Sequence, residues 1–135
     1  MSVPEARPDG DVVEVRVPAD GAYAATLRLM AAGLAARCDL TVDDIEDLRL
    51  AVDEACALLL PHARPESTMV ARFELATGRL AVTTSVASPD ATDASPDRSG
   101  FAWSVLSALA SEVDVVGTEG QLSITVTKRR ENAPA

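Results

Sequence analysis

Residues 45–63 read IEDLRLAVDEACALLLPHA, and the fold turns on this stretch. Ile45, Leu48, Val52, Ala55 and Leu59 recur at the spacing of one helical face, so the segment predicts a helix that buries this stripe. Thr41 stands ahead of it with Asp44 three residues on, the pattern of a capping box in which Asp replaces the better-fitting Glu. Asp43, Asp44, Glu46 and Asp47 crowd the first turns, where the helix dipole favours negative charge. Pro61 stops the helix because it lacks an N–H and its ring clashes with the preceding turn. Leu58 lies about 100° from the centre of the buried stripe, on the side of Glu54. It therefore points away from the main core or widens it.

Upstream, Tyr23, Leu27, Met30 and Leu34 also recur at helical spacing, giving a first helix over roughly residues 20–37 with Tyr23–Leu34 as its buried stripe. Before it, DVVEVRVP alternates and ends at Pro18, which predicts a strand. Downstream, TMVARFEL (68–75) and RLAVTTSV (79–86) are strands, and Thr77-Gly78 between them signals a hairpin. Residues 87–98 form a polar, proline-containing loop. Ser99 can cap a third helix built on Ala102, Val105, Leu106 and Leu109. Strands at 113–116 and 122–127 follow, joined by a turn at 117–120. Residues 1–10 and 129–135 read as tails around one domain at 11–128.

The order β-α-α-β-β-α-β-β is α+β. Its simplest packing is a two-layer sandwich: a mixed, mostly antiparallel sheet with three helices on one face. The 135 residues suit one domain. The aromatic residues are only Tyr23, Phe73, Phe101 and Trp103, so the core is built from Leu, Val, Ile and Ala. A formal charge of −9 argues against direct nucleic-acid binding and suits a partner with a basic surface, although the same charge also serves solubility. Cys38 and Cys56 form no metal-binding pattern and read as small buried apolar groups, with a redox pair as the alternative. No signal peptide or membrane-spanning run is visible, which makes the cytoplasm the default. His62, the single histidine, has no visible catalytic companion.

The segment 45–63 resembles the second helix of RsbW-type anti-sigma factors, members of the GHKL (histidine-kinase-like) ATPases and kinases. YAATLRLMAAGLA resembles their first helix, SGFAWSVLSALASEVDV their glycine-rich box and third helix, and LSITVTKRR their closing strand. The likeness covers about residues 11–130 and is nearest to a divergent actinobacterial branch that inhibits a stress- or development-type sigma factor. It implies the Bergerat-like ATPase fold and three phosphate-handling elements. On the second helix, Glu54 stands at the general-base position, but Leu58 stands where the family has a Mg²⁺-holding Asn. Hydrocarbon cannot ligate Mg²⁺, which demands oxygen. At the Asp-x-Gly element, where the Asp contacts adenine, this chain has Val86-Ala87-Ser88. In the glycine-rich turn Gly100 remains, and Ala102 replaces the second glycine. The resemblance therefore implies an eroded ATP site with no cofactor, or at most residual ATP and Mg²⁺ binding. The plainer reading of Glu54 is an exposed carboxylate on an acidic helix.

In the family a basic residue on the first helix contacts the sigma factor, and Arg28 matches that position. Ala24, Ala25, Leu29, Ala31 and Ala32 lie beside it, off the Tyr23–Leu34 stripe, as a flat surface open to a partner or simply an alanine-rich exposed face. The resemblance implies a sigma factor, an anti-anti-sigma (STAS-type) protein and a second copy of the chain as partners. Phe101 and Trp103 are expected to plug the vacated cleft in preference to facing a partner. The expected function is sequestration of an alternative sigma factor. The rivals are an ATP-dependent serine kinase acting on an anti-anti-sigma protein, with Glu54 as its catalytic base, and an acidic interaction module unrelated to sigma factors.

Overall fold

The computed structural model of the chain describes residues 9–89, 100–118 and 120–130. The elements in order are β1 (Asp11–Pro18), α1 (Ala24–Arg37), α2 (Val42–Leu59), β2 (Thr68–Ala76), β3 (Arg79–Ala87), α3 (Phe101–Leu109), β4 (Glu112–Thr118) and β5 (Gln121–Arg129). Short 3-10 turns at Gly21–Tyr23 and Leu60–His62 lead into α1 and out of α2.

The sheet order is β1-β2-β3-β5-β4, and all four pairings are antiparallel, so the parallel component of a mixed sheet is absent among the described strands. Strand alternation puts one set of side chains on a single face. Val17, Met69, Val86 and Leu122 form one row across the sheet; Val15, Ala71, Thr84, Ile124 and Val115 form the next; Val13, Phe73, Val82, Val126 and Val113 the third. The three helices cover this face. α1 packs over β2 and β3, α2 over β3 and β5, and α3 against α2 and β4. Phe73, Met69 and Ile124 are fully buried there. The opposite face carries Thr83 and Thr125, whose hydroxyls meet at 2.8 Å, and Ser85 and Ser123, which meet at the same distance.

The second helix forms as its sequence dictates. Thr41 Oγ1 accepts from the Asp44 amide and Asp44 Oδ2 accepts from the Thr41 amide, both at 3.1 Å, completing the capping box. Leu48, Val52, Ala55 and Leu59 are buried and Ile45 is partly so, as expected; Ala51 and Cys56 widen the stripe.

The first helix corrects its expected face. Leu27, Ala31 and Ala35 are the fully buried positions, while Met30 and Leu34 are half-buried and Tyr23 is exposed. Apolar residues surround this helix, so periodicity alone does not pick the core side. The short alanines win because they let α1 approach the sheet and α2 closely. The 3-10 turn before α1 is capped by Asp20, whose Oδ1 accepts from the Ala22 amide at 2.9 Å.

Both ends of the domain extend beyond the expected limits. The Asp9 carboxylate accepts from the Thr77 amide at 2.6 Å, and the Gly10 amide donates to the Leu75 carbonyl. β5 continues through Arg129, two residues past the expected strand end at 127 and one past the expected domain limit. Lys128 is a buried member of that strand. Ser99, the expected cap of α3, lies outside the described residues, as does most of the loop at 87–98; Gly100 is the N-cap residue seen.

One end of the sandwich is tied. Gly78, with φ +77 in the hairpin turn, donates its amide to the Cys38 carbonyl at 2.6 Å. The Arg130 amide donates to the Gly78 carbonyl at 2.9 Å, and the Arg130 guanidinium meets Asp39 at 2.8 Å. The α1–α2 corner, the β2–β3 hairpin and the end of β5 are thus joined there.

Candidate functional site

The opposite end carries the candidate site. There α2 delivers Glu54 and Leu58, β3 delivers Val86 and ends just before Ser88, and Gly100 precedes α3. Glu54 is half-buried, between the exposed carboxylate of the plainer reading and an enclosed one. No hydrogen bond or ion pair engages its carboxylate among the described residues. Leu58, one turn on, is half-buried and packs against the core. The position between polar flank and core therefore presents hydrocarbon.

Val86 is 1 % exposed, between Met69 and Leu122 on the core face. It belongs to the hydrophobic core. Ser88 lies just past β3. Its amide donates to the Gly120 carbonyl at 2.9 Å, and the preceding Ala87 carbonyl accepts from the Arg64 amide at 2.8 Å. The Ser88 hydroxyl is buried without a hydrogen-bond partner among the described residues. The sequence placed Ser88 in the Val86-Ala87-Ser88 stretch at the Asp-x-Gly position and within the loop from residue 87; nothing in its neighbours' polarity signals burial.

Gly100 caps α3 in an extended conformation (φ −76, ψ 165) that any residue can adopt, and being glycine it offers no side chain of its own to the first turn. Ala102 is half-buried. Phe101 is 85 % exposed, which overturns the expectation that it plugs the cleft; Trp103 alone packs inward against the core. Helical geometry explains the split, because residues two apart diverge by about 200°. Among the described residues no group of three or more His, Cys, Asp or Glu side chains is disposed to hold a metal ion. His62 is half-buried in the turn after α2.

Cys38 and Cys56 are free, buried thiols. Burial, reinforced by the nearby Asp53 carboxylate, pushes the Cys56 thiol up to about 12. Burial also raises Cys38, partly offset by a hydrogen bond its sulfur accepts from the Ala76 backbone. Neither favours the reactive thiolate.

On the outer face of the helix layer, Arg28 is one-third exposed and its Nη1 lies 3.4 Å from Asp53 Oδ1 of α2. Ala25 is exposed, Leu29 is 66 % exposed, Ala32 is half-buried and Ala24 packs against the core. Ala31, expected on this surface, is fully buried beneath it. The Arg28–Asp53 pairing was not legible in sequence, because it depends on how α1 and α2 are rotated against each other.

No helix among the described residues is long and apolar enough to cross a membrane. Residues 17–128 match the family model of the histidine kinase-like ATPase domain. The serine-protein kinase RsbW of Bacillus velezensis is 45 % identical over 53 residues, 39 % of this chain and 33 % of that protein. RsbW of Bacillus subtilis is 43 % identical over 58 residues, 43 % of this chain and 36 % of that protein. The matched segments thus span about a third of these relatives' length. A crystal structure of the RsbU and RsbW domains of a Mycobacterium tuberculosis protein superposes with a TM-score of 0.63 at 21 % identity, covering 87 % of this chain and 32 % of that one. With its helix-covered antiparallel sheet and these matches, the chain belongs to the histidine kinase-like ATPase family, with an RsbW-type fold.

Proposed function

We propose that the protein is an anti-sigma factor that works by docking, with a degenerate nucleotide site. The observation that carries this reading is Leu58 packed against the core one turn beyond Glu54. Mg²⁺ bound to nucleotide needs oxygen ligands in octahedral array, and hydrocarbon at this position offers none. Val86 supports the same reading. It is closed into the core where an adenine-reading carboxylate would have to stand. The residues present therefore do not fit a magnesium–adenine nucleotide, and the mechanism has no phosphoryl-transfer step.

Binding is assigned to α1, where Arg28 presents a planar fork of donors beside the exposed Leu29 and Ala25. The partner is an alternative sigma factor, held away from RNA polymerase in the cytoplasm. An anti-anti-sigma protein competing for the same surface releases it, and a second copy of the chain is a further partner of that region. Titration of the purified protein into sigma-dependent transcription tests the reading. Stoichiometric inhibition with one alternative sigma factor supports it, and unaltered transcription with all of them rejects it.

The half-buried, unengaged carboxylate of Glu54 favours a second reading, an ATP-dependent serine kinase acting on an anti-anti-sigma protein. Calorimetry with Mg·ATP separates the two, since tight metal-dependent binding belongs only to the kinase.

A further inference from the structure

We infer that Asp53 is an internal competitor for Arg28, so that partner binding at α1 exchanges one carboxylate for another on a single guanidinium. This rests on the reading of α1 as the docking surface. The Arg28–Asp53 contact is 3.4 Å, longer than the about 2.7–2.9 Å of a charge-assisted hydrogen bond. Its two side chains are 33 % and 43 % exposed, so water screens the attraction. Arg28 Nε is buried and has no hydrogen-bond partner among the described residues. A guanidinium carries five N–H donors in a fork that matches a carboxylate through two parallel bonds. In the free chain this one is held by charge and left short of acceptors.

The surroundings specify the partner. Leu29, next in sequence, is two-thirds exposed, and Ala25 and Gly33 open on the same helix with no atom within 4 Å of where a Gly33 side chain would begin. On the α2 side, Glu46 and Arg49 already pair at 2.8 Å, and Leu50 is 44 % exposed. A protein segment that fits here is apolar where it lies on Leu29 and carries one carboxylate placed to face Arg28. That carboxylate meets Asp53 as a like charge, so Asp53 must yield the guanidinium and swing toward solvent. Asp53 thereby sets the threshold for docking and discriminates against segments lacking a carboxylate.

The experiment measures affinity of the wild-type chain, Asp53→Asn, Arg28→Ala and the double variant for each recombinant alternative sigma factor of the host. For the one that binds, Arg28→Ala weakens affinity about tenfold or more. Asp53→Asn tightens it about 2- to 5-fold, the factor a half-exposed ion pair carries. In the Arg28→Ala background Asp53→Asn tightens binding by a smaller factor, because only the like-charge repulsion is left to relieve. Unchanged or weaker binding by Asp53→Asn, with Arg28→Ala still weak, overturns the exchange and leaves the docking surface standing. An Arg28→Ala variant that binds like wild type removes the docking surface and the exchange with it. A wild-type chain that binds no sigma factor removes the anti-sigma reading itself.

Discussion

Lys128 Nζ lies 3.1 Å from Asp47 Oδ2 and 2.9 Å from the Leu109 carbonyl, with its side chain 1 % exposed. The ammonium sits on the helix-facing side of β5, opposite Leu80, and ties the sheet to both α2 and the end of α3. Asp47 is 38 % exposed, so solvent supports the carboxylate while the lysine stem is packed. Lys128→Ala removes the stem and leaves the Leu109 carbonyl without this donor. The expected loss is about 2 kcal/mol, below the usual figure for a broken buried pair because Asp47 can hydrate. Lys128→Met keeps the packing and should lose less. Urea unfolding of the two variants checks both the size and the order.

The capping box gives a second expectation. Thr41→Ala removes the acceptor for the Asp44 amide and should destabilise by about 1 kcal/mol. The urea midpoint falls while the slope of the transition stays unchanged.

Exposure separates the two phenylalanines. Phe101→Ser should alter stability by less than about 0.5 kcal/mol, since the ring is in solvent. Phe73→Ala, at a fully buried position, should lose about 3–5 kcal/mol. Thermal unfolding compares them directly.

The Cys56 thiol sets an alkaline limit. Its folded value, pushed up to about 12, lies above the ordinary thiol value of 9.0. The folded chain therefore holds the proton where the unfolded chain has released it. The contribution is complete below about pH 9 and is lost as pH rises toward 12. Cys56→Ala should flatten the decline in stability over this window, read from unfolding curves at stepped pH. At pH 8 the native thiol should resist a disulfide reagent that labels it promptly in denaturant.

Leu58→Asn places an oxygen ligand one turn after Glu54. Calorimetry should then show Mg·ATP affinity at least about tenfold above that of the wild type, with the gain abolished by chelating the metal. The half-buried position should lose about 1–2 kcal/mol of stability on gaining the amide. An unchanged affinity would mean that Leu58 is not what excludes the metal.

The element order was legible because each element carries its own punctuation. Thr41 and Asp44 announce the start of α2, Gly78 announces the hairpin, and the alternation in Met69–Leu75 and Leu80–Val86 points to one face. The rotation of α1 was not, since leucine, methionine and alanine surround it and only close packing selects Leu27, Ala31 and Ala35. Lys128 was misplaced beyond the strand because a charged residue beside Arg129 and Arg130 resembles a solvated tail. Its burial depends on Asp47, 81 residues away. At the candidate site the nature of Leu58 and Val86 was readable, whereas the unpartnered Ser88 hydroxyl and the Arg28–Asp53 contact arise from tertiary geometry.

The bonds joining Cys38, Gly78 and Arg130 secure the strand alignment from the end remote from Glu54 and Ser88. Alterations at the Glu54 end therefore need not shift the alignment held at the other. A lineage could discard catalytic parts there one at a time and still inherit an intact platform on which α1 is displayed.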